Sequence, residues 1–174
     1  MDHTESLIPL LPEAYQPYAR PARPEDAYSL GPRLRRADAD EVRASSGKEG
    51  AEALLASLEK SALAWTFLHP LTNEPQVMAG LGFLTTITGV PWLLAADLDQ
   101  PMRAFFRAGF NQVIAYMHQH RRILVNMADA RNRTALKWLK FVGFELNGPW
   151  AWGVEQRPFY QLVSWREKFN HVQS

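Results

Sequence analysis

Cysteine is missing altogether from the 174 residues. Disulfides, thiolate metal sites and a cysteine nucleophile are thereby excluded, which suits a reducing interior. Nor is there a run of about eighteen apolar residues, so no membrane-spanning helix is expected. Met1 to Glu5 are acidic and lack the basic start of a signal peptide, so secretion is not expected. Charge of one sign is scarce too: 19 basic against 18 acidic residues leave a formal net charge of +1. Dedicated nucleic-acid binders carry a stronger basic excess. The basic clusters Arg33–Arg35–Arg36, Arg121–Arg122 and Arg131–Arg133–Lys137–Lys140 are therefore read as solvated faces. The five histidines show no zinc-like spacing with carboxylates, and no metal is expected.

What is present is a core. Apolar residues make up 47% and charged residues 21%, with six Trp and nine Phe. That is enough chain for one soluble domain with a substantial interior.

The first 16 residues have no period and read as an arm, with a short first strand expected over Tyr15–Arg20. Pro24-Glu25-Asp26 opens a helix to about Leu34, with a break near Gly31-Pro32. A second helix, Asp38–Ser45, stops at Gly47, and a third, Glu49–Lys60, aligns Ala51, Leu54, Leu55 and Leu58. The period then changes to two. Strands are expected over Leu63–His69, Val77–Ile87 and Val90–Ala96, joined as a meander. From Pro101 the residues Met102, Phe105, Phe106, Phe110, Val113, Ile114 and Met117 mark a long helix. Phe106, Phe110 and Ile114 are expected to face the sheet close to Trp92 and Leu94. The strand Ile123–Met127 follows, parallel to its predecessor because a helix connects them. A helix over Asn132–Phe141 ends at Gly143, and strands near Phe144–Trp152 and Arg157–Arg166 close the chain.

The segment Asp129 to Phe144 holds Asn132-x-x-Ala135 and, eleven residues after the Asn, Gly143-Phe144. It resembles the C-terminal signature of the GNAT (N-acetyltransferase-like) family, and the order of elements over Tyr18–Arg166 matches that fold. The resemblance implies an α/β (α+β) domain whose mixed, mostly antiparallel sheet has about six to seven strands, with helices on both faces. Residues 1–16 are expected as the arm, 17–168 as the domain and 169–174 as a tail. Leu34 to Val42, Pro91 to Leu94 and Ala130 to Asn132 with Trp138 to Lys140 further resemble GNAT-like internal virion proteins of short-tailed phages. That likeness implies a structural protein of the virion or host cytoplasm, working by contact with other virion or assembly proteins. No membrane or nucleic-acid partner is implied.

Two departures speak against catalysis. The family's Gln/Arg-x-x-Gly-x-Gly/Ala loop corresponds to Gln100-Pro101-Met102-Arg103-Ala104-Phe105, which lacks the glycines that let backbone N–H groups reach pyrophosphate. The position of the family's proton-donating Tyr holds Leu139. The expectation is therefore a degenerate site with no cofactor. The alternative is an acetyl-CoA-dependent N-acetyltransferase with an atypical loop. Under that alternative Gln100, Met102, Arg103 and Asn132 bind acetyl-CoA, and His69, Glu74 or Asp97 serves as base. Asn132 reads equally as a helix cap. Asn126, in an apolar strand, is expected to hydrogen-bond neighbouring backbone, because an unpaired amide there costs about 1–3 kcal/mol. Trp150, Trp152, Phe159, Tyr160 and Trp165 form either sheet packing or a surface for a partner.

Overall fold

A computed structural model describes residues 13–173. A short 3-10 helix (Glu13–Tyr18) leads into strand β1 (Ala19–Pro21), then helix α1 (Pro24–Leu30) and a 3-10 turn (Gly31–Arg33). Helices α2 (Arg36–Ser46) and α3 (Gly50–Glu59) precede the meander β2 (Leu63–Leu68), β3 (Pro75–Phe83) and β4 (Thr88–Ala95). Helix α4 (Gln100–His120), β5 (Ile123–Asp129) and α5 (Arg133–Phe141) come next, followed by β6 (Glu145–Trp152), β7 (Arg157–Trp165) and α6 (Arg166–Gln173). The strands make one seven-stranded sheet in the order β1-β2-β3-β4-β5-β7-β6. All neighbours are antiparallel except β4 and β5, the pair that α4 connects. Among the described residues no helix is long and apolar enough to cross a membrane.

Strand alternation divides the core in two. Leu63, Trp65 and Phe67 of β2, with Val77, Ala79 and Leu81 of β3, meet the apolar stripe of α4, along with Leu136 of α5 and Phe169 of α6. The opposite face sends Met78, Leu94 and Ala96 against Ala27 and Leu30 of α1 and Leu54 of α3. Phe106, Phe110 and Ile114 are buried against the sheet as their spacing requires. Their neighbours differ from expectation. Trp92 and Leu94 belong to the other face, and the Trp92 indole donates to the Ser61 hydroxyl at 2.7 Å. A strand apolar on both sides does not disclose which side will meet α4, and here Leu93 and Ala95 do.

Two further boundaries shift. The 3-10 helix carries the chain through Tyr18, so β1 begins only at Ala19, and residues 1–12 of the expected arm lie outside the described residues. At the other end, residue 168 is not where packing stops. Phe169 is 3% exposed, and its ring lies 5.3 Å from that of His118. The β6–β7 hairpin tip is pinned to the end of α2, with the N–H groups of Val154 and Glu155 donating to the carbonyls of Ser45 and Ala44. Gly153 makes that approach possible: its φ is +77°, and a Cβ there would lie 2.4 Å from the Ala44 carbonyl oxygen.

Candidate functional site

Strands β4 and β5 pair only at Thr88–Ile123 and Gly89–Leu124. Beyond those two pairs they part, and a cavity of about 1150 Å³ occupies the space. On the α4 side it is apolar, bounded by Phe106, Phe110, Ile114 and Met117 and by Trp138 of α5, whose ring is 4.7 Å from that of Phe110. Arg103 and Arg107 of α4 and Arg133 and Lys137 of α5 border it with exposed side chains. From the opposite face of the sheet α2 contributes Asp38 and Glu41 to the same cavity. The cavity thus passes through the split in the sheet. One side chain spans the split: Asn126 of β5 donates from Nδ2 to the Pro91 carbonyl of β4 at 2.6 Å, the backbone bond expected of it.

The α2 side carries an acidic group with ordered partners. Asp38 is buried, pairs with Arg35, and accepts from the Ala95 N–H of β4 at 3.0 Å. Asp129, at the end of β5, is 1% exposed and is held by the guanidinium and N–H of Arg131. Burial pushes its carboxyl up, but those bonds outweigh burial and hold it below the usual range. Glu41 has no such cation. Its Oε2 accepts from Asn132 Nδ2 at 3.1 Å, and the same amide lies 3.3 Å from Asp38 Oδ1. Burial, followed by the negative charges of Asp38 and Asp129, pushes Glu41 up to about 7. The other end of Asn132 caps α5, Oδ1 accepting from the Ala135 N–H at 3.3 Å. The residue named as either ligand or cap is a cap, and its amide also positions a carboxyl.

The N-terminus of α4 is occupied by the chain itself. Asp99 is the cap, its Oδ1 accepting from the Met102 N–H at 3.1 Å, and Pro101 supplies no donor. Asp99 is held below the usual carboxylate range by its bond to His69, then by the Met102 N–H. His69 stands at the end of β2, where Nδ1 accepts from the N–H groups of Leu71 and Thr72. Nε2 therefore carries the proton and donates to Asp99 Oδ2 at 2.8 Å. Both ring nitrogens are engaged within the protein, and through Asp99 His69 anchors the start of α4. Glu74 sits in the β2–β3 turn, 4.0 Å from Arg33, away from the cavity lining. Asp97 borders the cavity, as Arg103 does, whereas Gln100 is exposed on the first turn. Met102 is 1% exposed within the core, so its side chain is closed to any ligand. The structure brings Asp97, Arg103 and Asn132 to one cavity and leaves His69, Glu74, Gln100 and the Met102 side chain out of it.

Glu41 was not among the residues the sequence singled out. Its one sequence signal is the Asp38, Glu41 spacing, which puts two carboxylates on one helix face beside Arg35. No group of three or more His, Cys, Asp or Glu placed to hold a metal occurs among the described residues.

No protein-family model matches the chain, and no curated protein matches it in sequence. Solved structures do match in fold. A ribosomal-protein-S5-alanine acetyltransferase from Vibrio fischeri is 14% identical, with a TM-score of 0.62 over 87% of this chain and 93% of that one. A ribosomal-protein-alanine N-acetyltransferase from Brucella melitensis is 13% identical, with a TM-score of 0.61 over 84% of this chain and 98% of that one. A GNAT-family acetyltransferase from Bacillus anthracis, 10% identical, reaches a TM-score of 0.63 over 86% and 94%. The chain has the GNAT fold, as the Asn132 to Phe144 segment implied.

Proposed function

We propose that the chain is an acyl-CoA-dependent N-acyltransferase that uses arginine side chains where a glycine-rich loop would cradle pyrophosphate. The observation that carries this reading is the split between β4 and β5, opening into a cavity that is apolar within and basic at its border. Asn126 and Asp38 already take the Pro91 C=O and the Ala95 N–H of this edge, so the stretch between them, at Leu93, is where an amide-bearing arm such as pantetheine can pair with the strand. Arg103 and Arg107 on α4, with Arg133 and Lys137 on α5, would hold the anionic end. The α4 N-terminus does not fit a phosphate, because the Asp99 carboxylate already takes its place. The fit therefore lies in the arm and in the flanking charges. A bound acyl-CoA supplies a thioester whose acyl carbon is open to attack by an amine. The fold shared with acetyltransferases supports the reading over a purely structural role.

Calorimetric titration with acetyl-CoA tests it. Saturable binding of one molecule per chain is expected, weakened about tenfold or more by the Arg103→Glu, Arg107→Glu double variant. Absence of binding, or binding indifferent to that reversal, would contradict the proposal.

A second reading, action through contact with another copy of the chain, rests on one surface. Trp150, Trp152 and Trp165 share a face of β6 and β7 and are 53%, 40% and 37% exposed. Exposed tryptophans of this kind are enriched at interfaces. Sedimentation of the chain with and without Trp150→Ser, Trp165→Ser tests for self-association through that face. A monomer in both cases removes a dimer from consideration.

A further inference from the structure

Glu41 is the one carboxylate of its group that lacks a cation. Asp38 has Arg35 and Asp129 has Arg131, each within ion-pair distance, whereas Glu41 forms no salt bridge among the described residues. Its partners among the described residues are neutral, the side-chain amide of Asn132 and the backbone at Asp129. It also stands where two routes would meet. The apolar stretch beside Phe106 and Phe110 lies on one side of the sheet, Glu41 on the other, and one cavity joins them through the split.

We infer that Glu41 receives a cationic primary amine on the α2 side of the split and takes its proton. This assignment rests on the N-acyltransferase reading and adds to it the acceptor class and the base. An ammonium group supplies the counter-charge that the protein withholds from Glu41. In the step itself one N–H bond of the ammonium breaks and an O–H bond forms on the Glu41 carboxylate. The electron pair stays on nitrogen, which becomes the neutral nucleophile, and the proton afterwards passes to water. A base suited to neutral pH must hold its proton near pH 7, and the environment of Glu41 does that. The charged groups around it are Asp38 and Arg35 at the start of α2 and Asp129 and Arg131 between β5 and α5. Asn132 is a positioning residue, fixed by its cap on α5.

The test follows glutamate carboxyl carbons by NMR in the full chain as pH is varied, with and without 1,4-diaminobutane as the cationic probe. Acetyl-CoA calorimetry is run on the same proteins. One carboxyl is expected to titrate near pH 7, to be missing in Glu41→Gln, and to move down by about half a unit or more with the diamine. Asn132→Ser keeps a helix cap but removes the amide donor, so the same signal should move up. This identifies the signal without altering Glu41. Acetyl-CoA should bind the unmodified chain and Glu41→Gln equally. No carboxyl titrating near 7, or a midpoint unmoved by the diamine, overturns the assignment. Failure of both proteins to bind acetyl-CoA overturns the acyltransferase reading, and the base role with it.

Discussion

The side-chain amide of Asn126 donates to the Pro91 carbonyl across the gap between β4 and β5 at 2.6 Å. Its oxygen accepts from the N–H of Met127 at 2.7 Å. Two backbone pairs hold the strands together at one end, and this amide is a clasp placed further along the opening. Asn126→Ala should lower stability by about 1 kcal/mol, the usual worth of such a bond. It should also speed hydrogen exchange in both strands. Urea denaturation and amide exchange check the two effects, and a variant as stable as the parent would show that the clasp carries no load.

Phe110 fills the space between the sheet and α5. It is 3% exposed, with ring contacts to Phe106 at 5.4 Å and to Trp138 at 4.7 Å. Phe110→Ala should cost about 3–5 kcal/mol. Denaturant unfolding reads this directly, and a loss below about 1 kcal/mol would mean the cavity wall collapses to fill the hole.

Asp26 ties α1 to the sheet. Its carboxylate receives both terminal nitrogens of Arg20 at 2.7 and 2.6 Å, the Thr66 hydroxyl at 2.6 Å and the Arg23 N–H at 2.9 Å. Burial alone raises its pKa, but these bonds reverse the shift and leave it below the ordinary value. A depressed carboxylate stabilises the fold above the unfolded-chain value of about 4, and that contribution disappears as pH falls through the native value. Asp26→Asn should therefore be less stable than the parent at pH 7, with the gap narrowing towards about pH 2. Thermal melts across that range measure it. A pH-independent gap would assign the effect to shape and not to charge.

Glu41 should behave with the opposite sign. Its native pKa is raised to about 7, above the value of 4.5 for the free side chain. The native state then holds a proton that the unfolded chain has released, so stability falls as pH rises between those two values. Glu41→Gln removes this cost and should be more stable than the parent at pH 8, by about 1–3 kcal/mol. Below about pH 4 the two should converge. Denaturation midpoints at pH 4 and 8 check the sign, and a variant destabilised at pH 8 would contradict it.

Much of the fold could be read along the chain. The three- and four-residue spacing from Met102 to Met117 gave α4, and Gly31-Pro32 marked the break after α1. Asn132 and Gly143 bracketed α5 to within a residue or two. Less of the site was legible, and the reason is physical. Alternation in β4 separates Trp92 and Leu94 from Leu93 and Ala95 without saying which pair meets α4. His69 looks free to act until its ring is seen between two backbone N–H groups and Asp99. Glu41 draws its character from Asn132, 91 positions away, and from Asp129. Local sequence holds no record of such a meeting. The missing glycines before α4 were visible, but that Arg103 and Arg107 of α4 and Arg133 and Lys137 of α5 border one cavity was not, because their spacing along the chain does not show that the two helices flank it.

Acyl transfer itself is the most direct measurement. The chain has no cysteine, so every thiol that appears in a mixture with acetyl-CoA comes from the cofactor, and a thiol-reactive dye reports turnover without background from the protein. The expected result is thiol release that depends on a cationic primary amine, drawn from a panel of diamines, polyamines and lysine peptides. Mass spectrometry should find the same amine acetylated, and Glu41→Gln should slow the reaction about a hundredfold or more at neutral pH. Thiol release that is the same with and without every amine, or an amine that never gains an acetyl group, would contradict the account.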